Sequence, residues 1–187
     1  MKTESENLTK GVLILEEENE IKEQFKISEK YLRKFDELKL KILLINGPNL
    51  NMLGRRDPGI YGTFTLADVE KLSVDTAFAR GFKLDCYQSN YEGAIIEKIH
   101  EAMELYDGII INPGAYTHYS YAIADAVELC GLPVVETHIS DISKREDFRK
   151  LSVTSAACIT QIKGLGIMSY KKGVEVLCDF IESHIKK

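Results

Sequence analysis

Gly108-Ile109-Ile110-Ile111-Asn112-Pro113-Gly114-Ala115-Tyr116-Thr117-His118 decides the architecture of this chain. An apolar β-branched run without alternation reads as a strand buried on both faces, as a parallel sheet requires. At its carboxyl end the apolar run gives way to an amide, a Pro-Gly turn, a hydroxyl and an imidazole. In open α/β sheets that edge is where ligands bind. Two other stretches end the same way. Ile42-Leu43-Leu44-Ile45 runs into Asn46-Gly47-Pro48-Asn49-Leu50-Asn51, and Pro133-Val134-Val135 runs into Glu136-Thr137-His138-Ile139-Ser140. Three strands that bring amide, imidazole and carboxylate groups to one edge point to an active site.

From Lys41 onward strand and helix patterns alternate. Strands are expected near 41–46, 82–87, 107–112, 132–136 and 158–163, and helices near 65–79, 92–105, 119–130 and 168–184. Thr65 is a suitable N-cap with Asp68 in the opening turn, and Gly81 and Gly131 suit left-handed helix ends. Alternation with short connections implies a parallel sheet with helices on both faces. Five strands fit a flavodoxin-like three-layer α/β sandwich of order 2-1-3-4-5, with its switch point between the strands that carry Asn49 and Asn112.

Residues 1–39 differ in character, being rich in Glu and Lys. Ile21, Phe25, Ser28, Leu32 and Phe35 share one helical face, so a charged, partly helical extension is expected ahead of a catalytic domain over 40–187. The extension either packs on the domain or mediates assembly. A net charge of −5 over 187 residues argues against a general nucleic-acid binder. Cys86, Cys130, Cys158 and Cys178 form no Cys-x-x-Cys pair and read as small buried hydrophobes in a reducing cytosol. No secretory leader pattern and no stretch of about 20 apolar residues is present, so the expectation is a cytoplasmic protein without membrane contact.

The loop after the first strand is poorly suited to cradle phosphate. Such loops aim consecutive backbone N–H groups at the anion, and Pro48 has none. Its side-chain amides suit a polyhydroxylated or carbonyl-bearing small molecule, with Asn46 and Asn51 left to stabilise the turn. Arg55-Arg56-Asp57-Pro58-Gly59-Ile60-Tyr61-Gly62 has the make-up of a mobile lid. A phenol ionises near pH ~10, and a neighbouring cation favours the phenolate, which makes Tyr61 beside the arginines a possible base. Taken alone, the loop equally fits solvated arginines. Glu136 and His138 are two apart on a strand and face the same side, so the carboxylate can hold one ring nitrogen and leave the other for substrate. Reading His118, His138 and Glu136 as metal ligands lacks a helical His-x-x-x-His or cysteine framework, and no metal is expected. Arg149 can clamp a hydroxyl or carboxylate; Arg145 is expected to pair with an acidic side chain.

Taken together, the blocks at 46–54, 55–62, 88–90, 112–118, 136–140, 145–149 and 164–166 resemble type II 3-dehydroquinate dehydratase, in order and with the family's spacing over about residues 41–184. The resemblance implies a cofactor-free, anti-type elimination of water from 3-dehydroquinate, giving 3-dehydroshikimate in the shikimate pathway for aromatic amino acid biosynthesis. It implies that Tyr61 is the base at C2, that Arg56 holds Tyr61 as phenolate, and that Asn49 supports the enolate oxygen through water. His138 would protonate the departing C1 hydroxyl, with Glu136 orienting its ring. Asn112, His118 and Arg149 would bind substrate hydroxyls, and Ile139 and Ser140 its carboxylate. Asp125 would reach a neighbouring subunit's lid in a homo-oligomer built from trimers into a dodecamer.

The chain departs from the family pattern at Ala124, usually arginine, at Thr137, usually valine, at Asp141, usually asparagine, and at Tyr91, commonly histidine. Asp141 puts a negative charge near the expected carboxylate site, which is costly unless the side chain turns away or pairs with Arg145 or Lys144. Ala124, Asp141 and the extension leave room for a relative of altered activity. A flavin- or nucleotide-binding module on the same fold is the other alternative, and it needs the phosphate loop that Pro48 argues against.

Overall fold

The computed structural model describes residues 40–55, 59 and 62–185. The expected extension over 1–39 lies outside the described residues, as do Arg56 and Tyr61. Five strands form one parallel sheet: β1 Leu40–Asn46, β2 Phe82–Gln88, β3 Gly108–Asn112, β4 Val134–His138 and β5 Thr160–Lys163. Their order is β2-β1-β3-β4-β5, the flavodoxin-like arrangement. Among the described residues, α1 Leu66–Ala79, α2 Glu92–Leu105 and α3 Tyr121–Cys130 link successive strands from β1 to β4, short 3-10 turns join β4 to β5, and α4 Met168–Ile185 follows β5.

The core follows from strand alternation. Ile42, Leu44, Ile110 and Val135 turn to the face covered by α1 and α4, where Val69, Val174 and Leu177 meet them. Leu43, Ile45, Ile109, Ile111 and Val134 turn to the other face, against Ile95 and Ile99 of α2 and Ile123 and Val127 of α3. Each such side chain contributes about 1.5–3 kcal/mol through removal from water. The central strands carry most of it, since Ile42 to Ile45 and Ile109 to Ile111 are all fully buried.

Element ends differ from the sequence expectation where local chemistry intervenes. Thr65 and Asp68 form the expected capping box on α1, and Gly81 and Gly131 have the expected positive φ. Helix α3 starts at Tyr121 rather than 119, because Ser120 Oγ accepts the Ile123 N–H at 2.9 Å and caps it there. Strand β4 begins after Pro133, which lacks an N–H, and runs on to His138, paired with β5 through Glu136↔Gln161 and His138↔Lys163. The strand thus extends two residues beyond the expected end at 136. All four cysteines are free, with Cys130 and Cys178 buried and Cys86 and Cys158 half-buried; burial pushes the thiols of Cys86, Cys158 and Cys178 up to about 12. Among the described residues no helix is long and apolar enough to cross a membrane.

Candidate active site

Strands β2, β1 and β3 end level with one another, with Asn46 opposite Gln88 on one side and Asn112 on the other. The loops beyond them are in backbone contact. Gly47 N donates to Asn112 O at 2.8 Å, and a Cβ on Gly47 would lie 2.4 Å from Pro113 O. A Cβ on Gly114, whose φ is +60, would lie 2.9 Å from Pro48 O. Asn49 is the one described non-glycine residue at positive φ, at 65°, a conformation asparagine tolerates better than most residues. Its N–H donates to Asn90 Oδ1 at 2.9 Å, and Gln88 Nε2 steadies that same oxygen at 3.1 Å. The Gln88-Ser89-Asn90 block, to which the sequence assigned no role, thus braces Asn49. The loop is no phosphate cradle: Gly47 N is spent on Asn112 O, Asn49 N on Asn90 Oδ1 and Leu50 N on Gly47 O.

At the end of β4, Glu136 is fully buried and His138 nearly so. His138 Nε2 donates to Glu136 Oε1 at 2.6 Å, so Nδ1 is the nitrogen left for substrate. Gln161 Nε2 from the next strand donates to the same carboxylate oxygen at 2.7 Å. The hydroxyls of Ser152 and Thr117 lie 2.8 and 3.0 Å from it, and Thr154 Oγ1 donates to Oε2. Burial alone would raise the Glu136 pKa. The hydrogen bond and charge of His138, then the bonds from Thr154 and Gln161, outweigh it and hold the carboxyl at about 2. Glu136 is therefore an anion at working pH. It keeps Nε2 protonated and presents Nδ1 in one orientation.

The remaining groups close a cleft of about 190 Å³ lined by Asn49, Asn112, His118, His138, Ile139, Ser140, Arg145 and Arg149. That is below the roughly 300–1,000 Å³ of ordinary ligand pockets and suits a single small ring rather than a nucleotide. The His118 ring stands 2.8 Å from Leu151 O through Nδ1; a carbonyl only accepts, so Nδ1 carries the hydrogen and Nε2 is left as an acceptor. Arg149 sits 3.7 Å from Glu146 and over the Phe148 ring. Arg145, expected to pair with an acidic side chain, lines the cleft, and its contacts include a hydrogen bond donated to Ser140 Oγ at 2.8 Å. Asp141 turns away from the cleft into its own turn, accepting from the Ser143 N–H at 3.1 Å and hydroxyl at 2.6 Å, with Lys144 at 3.7 Å. Asp125 does not join the cleft: it is exposed on α3, in a groove with Tyr121, Ala124 and Glu128. No group of three metal-ligating side chains is assembled among the described residues.

Sequence reasoning missed Ser152, Thr154, Gln161 and Tyr170, the last of which bonds Asn112 from α4.

A doubly wound α/β domain with a carboxylate-backed imidazole among amides and guanidiniums, and no phosphate loop, is built for acid–base chemistry on a small polar molecule. The family described as dehydroquinase class II matches residues 40–178. Over 139 residues the chain is 54% identical to a 3-dehydroquinate dehydratase from Bacillus cereus, covering 74% of this chain and 95% of that one. It is also similar to the crystal structure of type II dehydroquinase from Butyrivibrio crossotus, with a TM-score of 0.72, 47% identity, and coverage of 74% and 97%. For that from Propionibacterium acnes the TM-score is 0.73 at 39% identity, covering 76% and 98%. The chain belongs to the type II dehydroquinase family.

Proposed function

We propose that this chain is the hydro-lyase that removes water from 3-dehydroquinate, giving 3-dehydroshikimate in the shikimate pathway through an enolate. The observation that carries the chemistry is His138, held through Nε2 by a buried anionic Glu136 and exposed to the cleft among amides and guanidiniums. Hydroxide is a poor leaving group, and a proton beside a ketone is acidic only when the enolate is stabilised.

In the first step Tyr61, as phenolate beside Arg56, takes the C2 proton. The C–H electron pair becomes a C2–C3 double bond, and the ketone oxygen becomes an enolate that Asn49 supports through water. In the second step the enolate collapses to the ketone and its electrons form the C1–C2 double bond. The C1–O bond breaks as His138 delivers its Nδ1 proton, and the hydroxyl leaves as water. Tyr61 then holds one proton and His138 lacks one, so exchange with solvent resets both. Asn112, His118 and Arg149 hold the ring hydroxyls, and Ile139 and Ser140 the carboxylate. No cofactor is needed for this sequence. A general acid or base of this kind is worth roughly 10²–10⁴-fold in rate, so His138→Ala and Tyr61→Phe should each remove nearly all turnover, followed by the ultraviolet absorbance of the conjugated product, while leaving thermal unfolding cooperative. Wild-type-like rates in either variant contradict the assigned roles.

The working form is a homo-oligomer built from trimers and, beyond that, a dodecamer. Asp125 supports this reading: exposed and apart from the cleft of its own chain, it bears on substrate only across a subunit boundary. Residues 1–39 form an extension to the catalytic domain, which acts in the cytoplasm.

A further inference from the structure

We propose that Tyr170 is a positioning residue for substrate recognition: from behind the sheet its hydroxyl sets which edge of the Asn112 amide faces the cleft. The inference rests on the dehydratase reading and deepens it. Tyr170, on α4, is fully buried, and a buried phenol needs a partner for its hydroxyl. Asn112 Nδ2 donates to that hydroxyl at 2.7 Å, and the hydroxyl donates to Asn46 Oδ1 at 2.8 Å. The three residues lie on β1, β3 and α4, so the relay ties the two central strand ends to the covering helix.

The polarity of the relay follows from counting hydrogens. A phenol has one, and here it goes to Asn46. Toward Asn112 the phenol oxygen therefore accepts, and only Nδ2 can stand there. The other side agrees, because Gly114 N donates to Asn112 Oδ1 at 3.1 Å. Turning the amide over would set oxygen against oxygen at Tyr170 and N–H against N–H at Gly114. One Nδ2 hydrogen and one Oδ1 lone pair remain unspent, in a fixed order, on a residue that lines the cleft. Burial pushes ionisation of the phenol far above its ordinary range, which keeps it a donor at any working pH.

Tyr170→Phe removes the hydroxyl and keeps the ring. The expected result is a rise of about tenfold in KM for 3-dehydroquinate, the scale of one lost hydrogen bond, with kcat within about twofold. Asn46→Ala, which removes the acceptor, should raise KM in the same direction. In an Asn112→Ala background Tyr170→Phe should change KM no further, since it acts only through that amide. A lower Tm with unchanged KM, or a KM increase that persists without Asn112, would overturn the proposal. A crystal structure of Tyr170→Phe gives an answer independent of turnover: a displaced Asn112 amide supports the relay, and an unmoved one overturns it. Absence of turnover by the wild type would count against the dehydratase reading instead.

Discussion

Thr137 and Glu136 are neighbours on β4 that face opposite sides of the sheet, and both are fully buried. Their polar atoms fare differently. Glu136 receives donors on both oxygens, whereas Thr137 Oγ1 has no partner among the described residues. A buried hydroxyl without a bond costs stability. Thr137→Val should therefore stabilise the domain by about 1 kcal/mol in urea unfolding, and a loss of stability would show that the hydroxyl is bonded in solution. For Glu136 the sign runs the other way. Its carboxyl is depressed from the ordinary 4.5 to about 2, so its stabilisation is complete above pH 4.5 and is lost as pH falls toward 2. Over that window Tm should fall more steeply in the wild type than in Glu136→Gln; parallel curves would contradict the assignment. The pairing of Glu136 with His138 was legible from their spacing of two. The donors around it were not, because Ser152, Thr154 and Gln161 reach the carboxylate only once β5 has paired with β4.

At the scale of elements, the site depends on loops that pack backbone against backbone at the β1–β3 switch point. Gly47→Ala would drive a methyl to within 2.4 Å of Pro113 O, where no flexible side chain can yield. It should cost about 2 kcal/mol or more and reduce kcat/KM together with Tm; a variant of normal stability and activity would show that the loops adjust freely. The switch point was legible in the sequence, since Asn-Gly-Pro and Asn-Pro-Gly each follow an apolar run, but the backbone contact between the two loops was not. Nor was the end of β4. The expected strand ends at 136, whereas β4 runs two residues further to His138, where Thr137 and His138 pair with Ile162 and Lys163 of β5. Arg145 and Arg149 both reach the cleft because the chain there forms two short 3-10 turns, Ile142–Lys144 and Asp147–Arg149.

On the scale of the whole molecule, the cleft is supported from both faces of one sheet. Tyr170 holds the amides of β1 and β3 from the α4 side, and the Glu136 cluster holds the imidazole from the α3 side. The alternation of apolar runs made the layers and strand order readable. The long-range bonds joining segments as distant as Asn46 and Tyr170 have no local period to reveal them. Assembly belongs to this scale too. Light scattering should give a mass that is a multiple of three chains, and Asp125→Ala should lower kcat/KM even though the residue lies outside its own chain's cleft; a fully active monomer would contradict both. The central claim, cofactor-free elimination by the chain's own acid and base, is tested most directly by giving purified protein 3-dehydroquinate and following product absorbance with and without borohydride pretreatment. Undiminished turnover after borohydride is the predicted result. Loss of turnover after borohydride, or none at all from well-folded protein, would contradict it, the first by revealing a lysine imine and the second by removing the activity itself.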